Sequence, residues 1–273
     1  MTQTGVISSQ KGQYVQVNGM NMYFEEYGSG KPLILLHGGT VSSQMWQPYI
    51  SSFIPHFRVI TPDSRAHGRT NNPSGELSYH LMADDVAAFI QALNLTKPLV
   101  FGYSDGGQIT LEIGMHYPNL TAALVVGAAW YKFTQTYRKG LEAAGFESPG
   151  VVNIEQIQRQ DPDYVKFLKT EHPRSDDADY WQTLLKQISI MWWTPLDYTA
   201  EDFQKIIEPT LILLGDRDGI INLEQAVEMY HLIPNAELAI LPNATHMSPN
   251  PKLLAETVLD FTLRHTNTAD NEA

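Results

Sequence analysis

Short apolar runs recur along this chain, each closed by turn residues, with segments of helical spacing between them. Residues 14–17 and 20–27 alternate between polar and apolar and meet at Asn18-Gly19, a dipeptide that predicts a tight hairpin turn. Continuous apolar runs follow at 32–36, 57–60, 98–101, 120–129, 210–214 and 237–241. Turn-forming or small residues follow most of them: His37-Gly38-Gly39, Thr61-Pro62-Asp63, Gly102, Gly215-Asp216 and Pro242-Asn243. Strands without alternation belong to a parallel sheet covered on both faces, because both sides of each strand are buried. Between them, residues 79–93 place Leu81, Met82, Val86, Phe89, Ile90 and Leu93 at helical spacing, and 223–232 and 253–263 repeat the pattern. Alternating strands and helices with short connections predict a mostly parallel, doubly wound α/β sheet.

The rhythm breaks between Trp130 and Ala200, where no clear strand is predicted. This stretch holds Trp130, Trp181, Trp192 and Trp193, four of the chain's five tryptophans, and Pro149, Pro162, Pro173 and Pro195 cut it into short helices. A structureless loop of about 70 residues is foreign to a compact domain. Residues 130–200 are therefore read as a helical cap inserted after the sixth strand, with 1–129 and 201–273 forming the core domain. Its aromatics either pack on one another or face a ligand. Residues 266–273 are polar and predicted to fray.

Composition narrows the partners. Of 273 residues, 43% are hydrophobic and 18% charged, enough for a large core. Thirty acidic residues against 18 basic ones give a net charge of −12. That argues against nucleic acid and against an anionic membrane surface, both of which need a basic face. There are no cysteines, which rules out disulfides, thiol nucleophiles and Cys-ligated metals. No run reaches the ~20 apolar residues of a membrane span. The first 17 residues lack the basic-then-apolar pattern of a leader, so a cytoplasmic location is expected, with monomer and homodimer both open.

Gly102-Tyr103-Ser104-Asp105-Gly106 directly follows an apolar strand and precedes the helical pattern at 108–116. A serine held in a sharp strand-to-helix turn projects its Oγ from the sheet edge, and the helix N-terminus beneath it favours a developing oxyanion. A structural turn serine is the alternative. Such a nucleophile needs a base. Of nine histidines, His246 follows the last strand, where open α/β sheets keep their sites. His37 also ends a strand, but Gly38-Gly39 after it points to loop shaping. His56, His80, His116, His172, His231 and His265 carry no partner signal and read as surface or packing residues. The base in turn needs an orienting carboxylate, and Asp216 or Asp218 follows the preceding strand. No dinucleotide, P-loop or zinc-protease motif is present, and Asp63 with His67 is too few ligands for a metal, so no cofactor and no metal are expected.

The order Ser104, Asp218, His246 and five strand-end motifs give the chain a resemblance to the α/β-hydrolase superfamily over nearly its whole length. The motifs are His37-Gly38-Gly39, Asp63-Ser64-Arg65-Ala66-His67-Gly68, Gly102-Tyr103-Ser104-Asp105-Gly106, Gly215-Asp216-Arg217-Asp218 and Thr245-His246. The resemblance implies an α/β-hydrolase fold. It also implies that the acid is Asp218, three residues after Gly215, with Asp216 left to cap the loop. It places the oxyanion donors on the backbone N–H groups of Gly39 and Asp105. Neither donor role needs a side chain, so Gly39→Ala is expected to be milder than Ser104→Ala. Ala66 and Thr70 depart from the common loop pattern, in which Asp63 and Arg65 are read as a structural ion pair. Asp105 departs too, standing where many relatives carry an apolar residue. The Ser-Asp-Gly-Gly run resembles the biphenyl-hydrolase-like branch. The Asp105 carboxylate either holds a substrate cation or pairs locally.

A serine rather than an aspartate at the turn disfavours dehalogenase and epoxide hydrolase chemistry. The reading is a serine hydrolase cleaving a carboxylic ester or lactone of short to medium acyl chain, a small-molecule substrate. His37, Tyr103, Trp130, Trp192, Trp193 and Met247 are the candidate pocket residues. C–C bond hydrolysis, perhydrolysis or lyase chemistry on the same triad, and slow-turnover ligand sensing, are the alternatives.

Overall fold

The computed structural model describes residues 12–247 and 250–266. The fraying expected at 267–273 and most of the segment read for a leader lie outside the described residues. Two strands open the chain, β1 (Gln13–Val17) and β2 (Met20–Gly28), paired antiparallel with Val17 opposite Met20 across Asn18-Gly19. Then come β3 (Lys31–Leu36), α1 (Gln47–Phe53), β4 (Phe57–Pro62), α2 (Tyr79–Ala92), β5 (Leu99–Tyr103), α3 (Asp105–His116) and β6 (Ala123–Gly127). The segment after β6 carries α4 (Gln135–Ala143), β7 (Phe146–Ser148), β8 (Val151–Val152), α5 (Ile154–Gln160), α6 (Pro162–Glu171) and α7 (Tyr180–Trp193). The chain closes with α8 (Ala200–Gln204), β9 (Thr210–Gly215), α9 (Leu223–Leu232), β10 (Ala236–Leu241) and α10 (Pro251–Thr266).

Eight strands form one sheet in the order β1-β2-β4-β3-β5-β6-β9-β10. β2 runs antiparallel to β4, and every pairing from β4 to β10 is parallel. β5, β6 and β9 are buried at every residue, as the unbroken apolar runs require. The chain builds from β3 outward to β4, then crosses back to β5. With right-handed crossovers this reversal puts α1 and α2 on opposite faces. Helix contacts in the core follow accordingly: α1 packs on α10, while α2 packs on α3, α3 on α8 and α8 on α9. The reversal also opens a crevice beyond the C-terminal ends of β3 and β5, the switch point where open α/β sheets bind ligands. Leu36 pairs with Gly102 there, so the residues following both strands meet at one edge.

The stretch at 130–200 contains the expected short helices, but it is not free of strands. β7 and β8 pair as a hairpin across Pro149-Gly150. Gly150 has φ +75°, the left-handed conformation that a Pro-Gly turn places on glycine. No described helix is long and apolar enough to cross a membrane.

Candidate active site

Ser104 sits between β5 and α3 with φ 56° and ψ −119°, a backbone conformation that side chains rarely adopt. The turn is possible because the flanking backbones touch. A Cβ on Gly102 would strike the Gly106 carbonyl, and one on Gly106 would strike the Leu36 carbonyl oxygen. The serine is held by its own backbone, its N–H donating to Gly127 O at 2.8 Å and its carbonyl accepting from Gln108 N at 3.1 Å.

His246 lies on the loop after β10, 3.0 Å from Ser104 Oγ through Nε2 and 2.8 Å from Asp218 Oδ2 through Nδ1. The three side chains thus form one chain of hydrogen bonds. Asp218 Oδ1 accepts from the backbone N–H groups of Ile220 and Ile221 at 2.9 and 2.8 Å, which fixes the carboxylate toward the imidazole. Asp216 points elsewhere: its Oδ1 accepts from Ala244 N at 3.2 Å and ties the loop after β9 to the loop after β10. Tyr103 donates its hydroxyl to the His246 carbonyl at 3.0 Å.

Asp105 opens α3, so its N–H has no carbonyl one turn earlier to bond within the helix. Its side chain is buried. One oxygen accepts from Tyr79 Oη at 2.8 Å, and both accept from Trp192 Nε1 at 3.0 and 2.9 Å. Burial raises its pKa to about 6 against the opposing pull of those donors. Local pairing thus accounts for this carboxylate, and Tyr79 and Trp192 are partners that the sequence pattern does not reveal. The Gly39 backbone lies beside it: a Cβ there would run into the Asp105 carboxylate and come 2.7 Å from Trp192 Cζ2.

These residues open into a cavity of about 460 Å³. Ser104, Asp105, Gly39 and His246 form its floor, and most of the remaining wall comes from the segment between β6 and β9. Trp130 and Trp192 line it, and Met247, 78% exposed, stands at its mouth. Tyr137, Gly140, Leu141 and Ala144 form one face of α4 and its C-cap toward the cavity, joined by Phe146 and Ile157. The sequence reading missed these, although 137, 140, 141 and 144 are at helical spacing. Asp161, Gln160 and Tyr164 add polar groups, and no lysine or arginine is among the lining residues.

Three expected pocket residues lie off the wall. His37 is buried in its loop, with Nδ1–H donating to Gly38 O at 2.7 Å and Nε2 accepting from Ser64 N at 2.9 Å. Tyr103 is spent supporting the His246 loop. Trp193 turns away, donating to Phe146 O at 3.1 Å beneath the Arg138 guanidinium. The Asp63–Arg65 ion pair does not form either. Arg65 grips Asp85 with two nitrogens at 2.7 and 2.6 Å, while Asp63 accepts from the backbone N–H groups of Ser43 and Arg69. Several of the histidines that carry no partner signal in the sequence do have partners. His172 is buried, accepting from Gly68 N at 2.8 Å, and His80 and His116 both face Glu112.

A family model described as the alpha/beta hydrolase fold matches residues 31–249. The chain is 40% identical to the candidate carbamate hydrolase RutD of Agrobacterium fabrum over 268 residues, 89% of this chain and 98% of that protein. It is 25% identical to 2-hydroxy-6-oxo-2,4-heptadienoate hydrolase of Pseudomonas putida over 88% of this chain and 91% of that one. Among solved structures it superposes on a meta-cleavage product hydrolase from Pseudomonas fluorescens with a TM-score of 0.74 at 21% identity, covering 93% of this chain and 98% of that chain. The matched span runs from the first parallel strand to the loop that carries His246, and on that footing the chain belongs to the α/β-hydrolase family.

Proposed function

We propose that this hydrolase cleaves a neutral carboxylic ester or lactone of short to medium acyl chain through an acyl-enzyme on Ser104. His246 takes the proton from Ser104 Oγ as it attacks the acyl carbonyl carbon. Asp218 holds the imidazole with Nε2 toward the serine and stabilises the cation that forms. The backbone N–H groups of Gly39 and Asp105 receive the oxyanion of the tetrahedral intermediate. Collapse breaks the acyl–oxygen bond, and the departing alkoxide takes the proton from His246 Nε2. Water, deprotonated by the same imidazole, then frees the acid and restores the serine. Residues 130–200 act as a cap over this site.

The observation that carries the reading is the Ser104–His246–Asp218 hydrogen-bond chain opening into a mostly apolar cavity with no lysine or arginine among its described lining residues. Carbon–carbon hydrolysis of a dienoate brings a substrate carboxylate into the pocket. Here that anion would meet the carboxylates of Asp105 and Asp161 with no lysine or arginine on the wall. A neutral acyl group avoids that cost. A carbamate ester is the second reading, favoured by the 40% identity to RutD over nearly all of that protein's length. It places the same kind of carbonyl before the same serine.

The test is hydrolysis of p-nitrophenyl esters of increasing acyl length, with a matched carbamate ester, by wild type and by Ser104→Ala. A short-to-medium chain optimum, lost by ~10³-fold or more in the variant, is expected. Asp218→Asn should leave the fold intact and lower kcat by about 10⁴-fold, because the imidazole then adopts the wrong tautomer. A folded wild type inert on every ester would overturn the ester reading, and turnover of the carbamate alone would install the second.

A further inference from the structure

At the end of α3 remote from Ser104, three side chains converge that the hydrolytic site does not use. His80 stands in the first turn of α2, and Glu112 and His116 lie one turn apart at the end of α3. Glu112 Oε2 is 3.2 Å from His80 Nδ1 and 3.1 Å from His116 Nε2, and one ligand atom from each residue lies within 4.8 Å of the others. Ligand atoms around a tetrahedral ion with bonds of about 2.0–2.1 Å stand about 3.3 Å apart. Two edges of the triangle already have that length.

We infer that His80, Glu112 and His116 form a binding site for a divalent transition-metal ion of the zinc class. One carboxylate oxygen faces two imidazole nitrogens at 3.1 and 3.2 Å, so without an ion each ring must hold its proton on the nitrogen that faces Glu112, and a divalent ion would take the place of both protons. A divalent ion satisfies two neutral imidazoles and the carboxylate together. The donor set of two nitrogens and one oxygen selects zinc, nickel or copper over calcium or magnesium, which take oxygen ligands. The His80 and His116 side chains are 57% and 43% exposed, leaving room for water to complete the coordination.

Surrounding groups are arranged as supports of such a site. The Tyr198 hydroxyl donates to Glu112 Oε1, turning Oε2 toward the histidines. Asp84 Oδ1 lies 4.0 Å from His80 Nε2, the nitrogen that the ion would leave free, and accepts from Tyr117 Oη at 2.5 Å. At 4.0 Å the Asp84 carboxylate gives His80 an electrostatic neighbour rather than a hydrogen bond. His116 is also the last residue of α3, where the helix dipole favours positive charge. The ion would bridge α2 to α3 and, through Glu112 and Tyr198, reinforce the point where the chain returns from the inserted segment to the sheet. This inference stands apart from the ester reading, since none of its residues lines the cavity.

The experiment takes untagged protein stripped with chelator and titrates it with Zn²⁺ by calorimetry, with thermal melts in Zn²⁺ and in Mg²⁺. One Zn²⁺ per chain is expected, with a melting temperature raised by Zn²⁺ and unmoved by Mg²⁺. His80→Ala and His116→Ala, both at exposed positions, should each weaken Zn²⁺ binding tenfold or more and abolish the rise while keeping ester turnover. Tyr198→Phe should weaken binding less. Absence of Zn²⁺ binding by the wild type overturns the site. So does wild-type affinity in both histidine variants, which would leave only adventitious binding elsewhere.

Discussion

A methyl group added at Gly39 has no room. It would overlap the Asp105 carboxylate and press on the Trp192 ring, and both are held by hydrogen bonds to each other. The backbone N–H survives in Gly39→Ala, which is why the sequence alone predicts a milder effect than that of Ser104→Ala. The loss remains the smaller of the two, yet it is not slight, because the new atom displaces the residue that supplies the second proposed oxyanion donor. A misplacement on the ångström scale at a catalytic centre costs about 10²-fold in rate. Gly39→Ala should therefore lower kcat/KM for the best ester by about 10²-fold and alter the tryptophan emission, whereas unchanged turnover and emission would mean that Asp105 and Trp192 are free to move aside. The residues flanking Ser104 were legible because steric necessity writes glycine at 102 and 106. The partners of Asp105 were not legible, since Tyr79 and Trp192 reach it from 26 residues upstream and 87 residues downstream.

Elements bring such distant residues together, and the loop after β4 illustrates how. Arg65 leaves that loop to grip Asp85 on α2 through two hydrogen bonds, with Asn18 adding a third to the same carboxylate at 2.9 Å. Both charged side chains are nearly inaccessible, at 3% and 1% exposed. Removing one partner from a buried pair leaves an uncompensated charge and costs about 3–5 kcal/mol, while replacing both with apolar residues is often close to neutral. Arg65→Met should thus lose about that much in urea unfolding, and the double variant Arg65→Met with Asp85→Leu should recover most of it. A single variant as stable as wild type would show that the pair contributes little. The family loop pattern places Asp63 and Arg65 together as a structural ion pair, but each Asp63 oxygen already accepts from a backbone donor, Ser43 or Arg69. The parallel strands β3, β4, β5, β6, β9 and β10 were legible, since they leave near-continuous apolar runs. The β7–β8 hairpin was not, because strands of three and two residues are too short for any periodicity, and only Pro149-Gly150 marks the turn.

At the scale of the whole molecule, three buried histidines join the core to the inserted segment. The rings of His37, His67 and His172 follow one another at 5.2 and 5.7 Å. His37 and His172 each accept a hydrogen bond from a backbone N–H, of Ser64 and Gly68, which holds that nitrogen unprotonated. His172 also bonds the Thr40 carbonyl at 3.0 Å, so the link spans from the loop after β3 to the residue that caps α6. Burial pushes their pKa values down, His37 to about 4 and His67 and His172 to about 3. In the unfolded chain each titrates near 6.5. Between about pH 6.5 and pH 3–4 the unfolded state therefore binds protons that the native state refuses. Stability falls as pH drops through that window and is unaffected by these groups above about pH 7. Each refused proton tilts the balance by at most about 1.4 kcal/mol per pH unit. Asp105 works in the opposite sense, because its raised pKa of about 6 lets the native state take up a proton first. Asp63, Asp85 and Glu208, raised by burial, share that sign. The net slope of the wild type mixes both contributions, so the informative quantity is a difference. His67→Asn keeps a donor for the Arg65 carbonyl that His67 Nδ1 bonds at 2.8 Å and removes one titrating group. Its stability should fall less steeply than that of the wild type between pH 6.5 and 4, by up to about 1.4 kcal/mol per pH unit. Parallel curves in urea unfolding across that range would mean that His67 takes up its proton in the folded protein as readily as in water.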